Sequence, residues 1–339
     1  MKLKSNYNIY NLYRQTNLTE EQELAIDNQQ NLRILKWTEM LDNFDYYKTI
    51  KFSKLKERCR KGIPEGMRGL AWIKIAGLNE FKKGKENIYK SLLSKLNSPD
   101  FINKTEEEVI IRDLHRTFPK HQVFCTKLGE GQRALYRILM CFGAMNKTTG
   151  YVQGMGFLAA FFLSYMDEEN SFWMLFCIFN KYRLEDVYLK DFPGLKKRFY
   201  VFLKLVQKFM PKIYNKLVEK EAYPTMYASQ WFFTLFTNCL PFEVVVRIFD
   251  CYLLEGEKII YRIALAILKL NENDLLNSKH FETFMENLRN STNKIKKPDE
   301  LLKTAFDFSF SRNDIIRYEQ LYQQKLTNNK EELVKLLGL

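Results

Sequence analysis

The sequence predicts an all-α protein, and three observations carry that prediction. Its 339 residues include only 14 Gly and 8 Pro, too few turn formers for a sandwich that reverses about every ten residues. Apolar residues recur at helical spacing along most of the chain, and no window sustains the alternation of a half-buried strand. Start and stop signals bracket these stretches where a helix needs them. Aromatic residues make up 15% of the chain, so a large core can be filled.

The elements follow in order. Residues 1–61 are polar and mixed, with helical periodicity around Leu32 and Leu35 and again over 44–55. They are expected to form a partly helical extension that rests in part on the main body. The body opens at Gly62-Ile63-Pro64 and continues to 271 without a low-complexity linker or an internal repeat. Thr105 followed by Glu108 reads as a capping box ahead of Val109, Ile110 and Leu114. That helix should stop near Thr117-Phe118-Pro119, because the residue before a proline avoids the α region. Phe199, Phe202, Leu203, Val206, Phe209, Met210, Ile213 and Leu217 form one apolar stripe, kinked or restarted at Pro211. Residues 244–254 and 259–270 read as two buried helices parted at Gly256. The polar stretch 314–337 reads as one or two amphipathic helices packed on the surface.

Charge and cysteine usage exclude several classes. The net charge is +13, from 53 basic residues against 40 acidic ones. No RGG, RNP or finger-type motif accompanies that excess, so no nucleic-acid partner is expected; an acidic protein or membrane surface suits the charge better. The six Cys are widely spaced, lack a CxxC pair and mostly sit in apolar stretches, which reads as buried free thiols in a reducing compartment. No signal sequence opens the chain. The longest apolar run, 156–166, is shorter than the ~20 residues of a membrane span. A cytoplasmic protein is expected.

Several motifs fail on inspection. Gly129-x-Gly131-x-x-Ala134 and Gly154-x-Gly156-x-x-Ala159 imitate a dinucleotide fingerprint, but neither follows a strand or has an acid at ribose distance. Gly77 to Lys85 misses the phosphate-loop spacing. The three His form no HExxH, no Cys stands at ligand spacing with them, and no GxSxG elbow occurs. Neither a metal site nor a cofactor of the chain's own is expected. Lys204, Lys208, Lys212, Lys216 and Lys220 recur every fourth residue, which reads first as the solvated face opposite the apolar stripe and otherwise as a contact surface for an acidic partner or anionic lipid.

One constellation remains. Ile110-x-x-Asp113-x-x-Arg116-Thr117-Phe118-Pro119 sets an acid and an arginine one turn apart at the end of a helix. Downstream, Gly150-Tyr151-Val152-Gln153-Gly154-Met155 presents an uncharged amide between glycines before an apolar helix. Taken singly, the first reads as a surface ion pair and the second as a helix entry. In this order the two strings resemble the signature pair of the TBC domain, the Rab GTPase-activating family. Arg60-x-Gly62-Ile63-Pro64-x-x-x-Arg68-Gly69-x-x-Trp72 is similar to the family's opening. Tyr227-Ala228-x-x-Trp231-x-x-x-x-Phe236-x-x-x-x-Pro241, then Arg247-Ile248-Phe249-Asp250 and Glu255-Gly256, resemble its second half.

The resemblance implies a two-lobed, all-helical Rab-GAP domain over 62–271, with an extension at 1–61. A helical tail at 272–339 would complete or flank the second lobe. It implies that GTP and Mg²⁺ are bound by a partner, a Rab-type small GTPase in its GTP-bound state. In the family's terms Arg116 is the arginine finger, and Gln153 stands in for the GTPase's own glutamine. Asp113 orients the finger or its loop, while Tyr151 and Gly154 shape the glutamine loop at the partner surface. Arg68, Trp72, Trp231 and Pro241 are assigned to packing. Gly156 stands where many members carry Asn, a departure that would loosen the glutamine loop; Phe249 replaces a usual Trp. The implied action is to switch off a Rab in vesicle trafficking, with membrane contact through the lipidated GTPase at endomembranes. The alternative is a TBC-like binding module that recognises a small GTPase without accelerating hydrolysis. A basic nucleic-acid or lipid binder would instead show steep salt dependence.

Overall fold

The computed structural model describes residues 20–98, 101 and 103–338, with side chains from residue 31 onward. Among the described residues there are twenty-one α-helices, two short 3-10 turns and no β-strand. The chain divides into two compact units, Met1–Lys181 and Tyr182–Leu339. The division falls inside the 62–271 stretch that the motifs span.

The first described element of this unit is the Glu20–Asp42 helix, and the part of the expected extension before residue 20 lies outside the described residues. Helical periodicity placed a helix here, but its inner face is not the expected one. Leu32 and Leu35 are exposed, whereas Trp37, Met40, Leu41 and Phe44 are buried, the i, i+3, i+4, i+7 positions of one stripe. The apolar stretch 44–55 breaks into Phe44–Thr49 and Phe52–Lys61 around Ile50 and Lys51. Gly62 then turns the chain with φ 99°. Arg68 is buried, donates to the Ile63 carbonyl at 2.6 Å and pairs with Glu65. Trp72 stacks on Phe161 with ring centroids 5.3 Å apart. Both therefore hold the opening motif in place as packing residues.

The core of this unit is the Met155–Leu163 helix. Eight of its nine residues are buried, and a helix that is apolar all round belongs inside a protein. Each buried Phe there contributes ~1.5–3 kcal/mol, so the residues just ahead of this helix leave a firmly anchored point. The Glu130–Met145 and Glu168–Asn180 helices contribute Phe142 and Phe176, whose rings meet at 4.5 Å.

The second unit holds the long apolar stripe. It is two helices, Pro193–Phe209 and Pro211–Glu219, and Pro211 restarts the second because its missing N–H is harmless in a first turn. Phe242–Glu255 and Lys258–Leu270 are separated at Gly256, whose φ is 75°. Phe249 is fully buried and meets Tyr252 edge-on at 5.5 Å, so an aromatic side chain still fills this part of the core. Trp231 is buried among Phe202, Tyr227 and Phe236. The tail forms Arg312–Asn328, capped by Ser311, and Lys330–Leu337.

The lysine ladder is only partly a solvated face. Lys216 donates to the Leu276 carbonyl at 3.2 Å and Lys220 to the Lys279 carbonyl at 2.9 Å, both near the end of the Glu272–Asn277 helix. Lys208 pairs with Asp314 at 3.4 Å, and Lys204 lies over the Tyr200 ring. The fold uses Lys208, Lys216 and Lys220 to join its own elements, while Lys204 stays within its own helix. Of the six Cys, Cys59, Cys141, Cys177 and Cys251 are buried as expected, Cys239 is half-buried, and Cys125 is exposed. Burial pushes the Cys141 thiol up to about 12 and the Cys177 thiol to about 11, away from reactive thiolates.

Candidate functional site

The site begins with the Lys104–Arg116 helix. Its cap is not the expected Thr105. Asn103 has extended backbone and accepts from the Glu106 N–H at 2.7 Å, so the helix starts two residues earlier. Asn is as good an N-cap as Thr or better, and this choice makes Glu106 the third residue of the helix instead of the first. The helix ends at Arg116 as the proline predicts, with Thr117 extended and Phe118 at φ 43°. Ile110, Asp113 and Leu114 face inward, while Ile111, Arg112, His115 and Arg116 face solvent.

Asp113 is a buried carboxylate, 3% exposed. Such a group is costly unless every lone pair has a donor. Here Oδ1 accepts from Arg116 Nε at 2.9 Å and pairs with Nη2 at 2.6 Å. Oδ2 accepts from the Tyr151 hydroxyl at 2.5 Å and from the Gly154 N–H at 3.2 Å. The Asp113 carbonyl accepts from the Thr117 hydroxyl at 2.7 Å, which ties the turn after the helix to its last coil.

The second part of the site is the 146–154 loop. Asn146 accepts from the Gly150 N–H at 2.8 Å, closing a turn in which Gly150 has φ 61°. Gly154 has φ 103° immediately before the Met155–Leu163 helix. A side chain is strained in that backbone region, so glycine is required where the loop enters the core. Tyr151 is buried and donates its N–H to Glu106 Oε1. Gln153 is exposed at the crest.

The two elements meet at the surface. With its amide turned as the hydrogen-bond network selects, Gln153 Oε1 accepts from Arg116 Nη1 at 3.1 Å and Nη2 at 2.7 Å. Arg116 is 46% exposed. A planar guanidinium thus lies with one edge on a buried carboxylate and its tip against an exposed amide.

All five residues singled out from the sequence, Asp113, Tyr151, Gly154, Arg116 and Gln153, converge here. Asp113 and Gly154 are joined directly, so Asp113 contacts both motifs rather than the arginine alone. Gly156 lies in the first turn of the helix that follows the loop. A Cβ there would lie 3.2 Å from the Tyr151 hydroxyl and 3.6 Å from Thr117 Oγ1, so the space beside the loop is already filled. Two participants were passed over in the sequence, Glu106 and Thr117. Glu106 was legible: it stands seven residues before Asp113, two turns up the same face. Among the described residues, no group of three or more His, Cys, Asp or Glu is placed to hold a metal ion, and no helix is long and apolar enough to cross a membrane.

The all-helical fold is that of a TBC domain. Residues 65–276 match the Rab-GTPase-TBC domain family, and the chain belongs to that family. It is 33% identical over 233 residues to the Drosophila melanogaster protein TBC1 domain family member whacked, covering 69% of this chain and 62% of the relative. It is 32% identical over 305 residues to mouse TBC1 domain family member 10B, covering 89% of this chain and 37% of the relative. The chain therefore spans less than two thirds of the length of these relatives. Among solved structures, the Chlamydomonas flagellar RabGAP TBC domain superposes with a TM-score of 0.65 at 25% identity, covering 89% of this chain and 99% of that one. The Ypt/Rab-GAP domain of Gyp1p shares the fold, with a TM-score of 0.62 at 20% identity over 84% of this chain and 99% of that one.

Proposed function

We propose that this protein accelerates GTP hydrolysis by a Rab-type small GTPase, supplying Arg116 and Gln153 to the partner's active site. The observation that carries this reading is the 2.7 Å contact between two exposed side chains from separate elements, both positioned by the buried Asp113. A binding surface alone needs no such pairing.

The chemistry suits the residue types. Phosphoryl transfer spreads charge over the γ-phosphate oxygens, and a guanidinium meets it with planar donors. An amide both donates and accepts, so Gln153 aims a water without adding charge. On engagement Arg116 exchanges the Gln153 oxygen for a phosphate oxygen, which frees the amide for the water. GTP and Mg²⁺ belong to the GTPase. The switch acts on vesicle trafficking, and this chain reaches endomembranes from the cytoplasm through its lipidated partner.

Single-turnover hydrolysis across a panel of GTP-loaded Rabs tests the proposal, with wild type, Arg116→Ala and Gln153→Ala in parallel. The expected result is acceleration by ~10³ or more on one or a few Rabs, lost in Arg116→Ala and strongly reduced in Gln153→Ala. Rabs that bind without any acceleration would sink it in favour of a binding module.

A further inference from the structure

The Lys104–Arg116 helix grips the glutamine loop twice, and Asp113 accounts for one grip only. The other is Glu106. Its Oε1 accepts from the Tyr151 backbone N–H, and its Oε2 accepts from Asn103 Nδ2 at 3.1 Å. The carboxylate is therefore held by the helix cap on one side and holds the loop on the other. It reaches bare backbone: a Cβ on Gly150, at φ 61°, would stand 2.8 Å from Glu106 Oε1. Asp113 takes the Gly154 N–H at 3.2 Å. Only Val152 and Gln153 lie between the two gripped amides.

We infer that Glu106 is a positioning residue for Gln153. Its carboxylate on the Tyr151 N–H sets the entry of the loop as Asp113 sets the exit, and the two together determine where the Gln153 amide stands. The inference rests on reading Gln153 as the residue that aims the attacking water. Because Glu106 bonds main chain rather than side chain, it acts on the whole loop whatever residue occupies position 152. A merely structural role is the rival: an acid in the first turn also favours the helix dipole. In that case its loss would lower stability and leave the maximal rate alone.

The test compares Glu106→Ala, Glu106→Asp and Glu106→Gln, alone and with Gln153→Ala, on a Rab that wild type accelerates. Thermal melting and hydrogen exchange of the Tyr151 amide are followed in the same variants. A loop displaced by about 1 Å costs up to ~10²-fold, so Glu106→Ala should lower the maximal rate about tenfold to a hundredfold. The KM for the GTPase should stay within about twofold, since uniform binding is untouched. Glu106→Gln keeps an acceptor oxygen and should retain most of the rate. Glu106→Asp keeps the helix-end charge but is one methylene too short, so it should behave like Glu106→Ala. In the Gln153→Ala background, Glu106→Ala should cost nothing more, as two changes acting through one group do not add. The Tyr151 amide should exchange faster in Glu106→Ala without any GTPase present. An unchanged rate in Glu106→Ala, full activity in Glu106→Asp, or an undiminished cost in the Gln153→Ala background would overturn the inference. Failure of the underlying reading looks different: wild type itself would accelerate no GTPase.

Discussion

The Tyr151 hydroxyl donates to Asp113 Oδ2 at 2.5 Å, joining residues 38 positions apart. That bond makes one buried carboxylate the common support of both halves of the site. Its other oxygen carries Arg116, so any change at Asp113 is felt by the arginine and the glutamine loop together.

Asp113→Asn preserves the shape and removes one acceptor, leaving an amide NH₂ facing either the guanidinium or the Tyr151 and Gly154 donors. A buried donor without a partner costs ~1–3 kcal/mol. The expected outcome is a lower melting temperature and a loss of GTPase acceleration of about tenfold or more. Melting curves beside single-turnover rates check it; a variant with normal rate would separate the Asp113 network from function.

Arg116→Lys keeps the charge and loses the fork. A point charge cannot bond Asp113 along one edge and Gln153 at its tip. GTPase acceleration should fall by at least ~10²-fold, out of the ~10³–10⁵ that a finger supplies. Melting should fall modestly, because Oδ1 of the buried Asp113 keeps at most one of the two donors that Arg116 gives it. Comparable rates for Lys and Arg would mean that charge alone suffices.

Gly156→Ala tests whether the space beside Tyr151 matters. Alanine is better than glycine in a helix by up to ~1 kcal/mol, which offsets the close Cβ contact with the Tyr151 hydroxyl. Stability should therefore change little, while the displaced hydroxyl lowers the rate about threefold to tenfold. Gly156→Asn is larger and should cost more. An Asn variant faster than wild type would show that glycine loosens the loop after all.

The second unit predicts its own acid sensitivity. Burial raises the Asp186 carboxyl, but the Arg198 guanidinium and the Lys197 ammonium together more than offset this, so it titrates below the ordinary value. Asp314, held by the Ser311 hydroxyl and N–H, is lowered to about 2. Carboxylates with depressed folded values contribute stability that is fully present above their unfolded pKa near ~4 and is lost as pH falls through the folded one. Melting temperature should be level above about pH 5 and fall steadily below about pH 4. Asp186→Ala should flatten that slope and destabilise at neutral pH by ~3 kcal/mol, since Arg198 is left buried with one carboxylate fewer.

Much of this protein was legible in its sequence. Helix class followed from period and from scarce turn formers, and the breaks at Pro211, Gly256 and Pro119 fell where backbone chemistry places them. The residues of the site were legible too, because the two strings keep their residue types and order. Other features were not. Leu32 and Leu35 look as apolar as Met40 and Leu41, and only the packing partners decide which face of a helix turns inward. Thr105 and Asn103 are both competent caps, and Asn103 takes the role by bonding both the Glu106 N–H and its carboxylate.

The sequence by itself determined which elements form and which side chains are candidates for the site, since both depend on local backbone preference and residue type. The tertiary structure decided what those side chains do to one another. It turned Asp113 from a surface ion-pair partner into a buried support for both motifs, drew Glu106 onto the Tyr151 amide, and committed much of the lysine ladder to the fold's own carbonyls and carboxylates. Such bonds join residues tens of positions apart. Their strength comes from burial and fixed geometry, which exist only once the helices have packed.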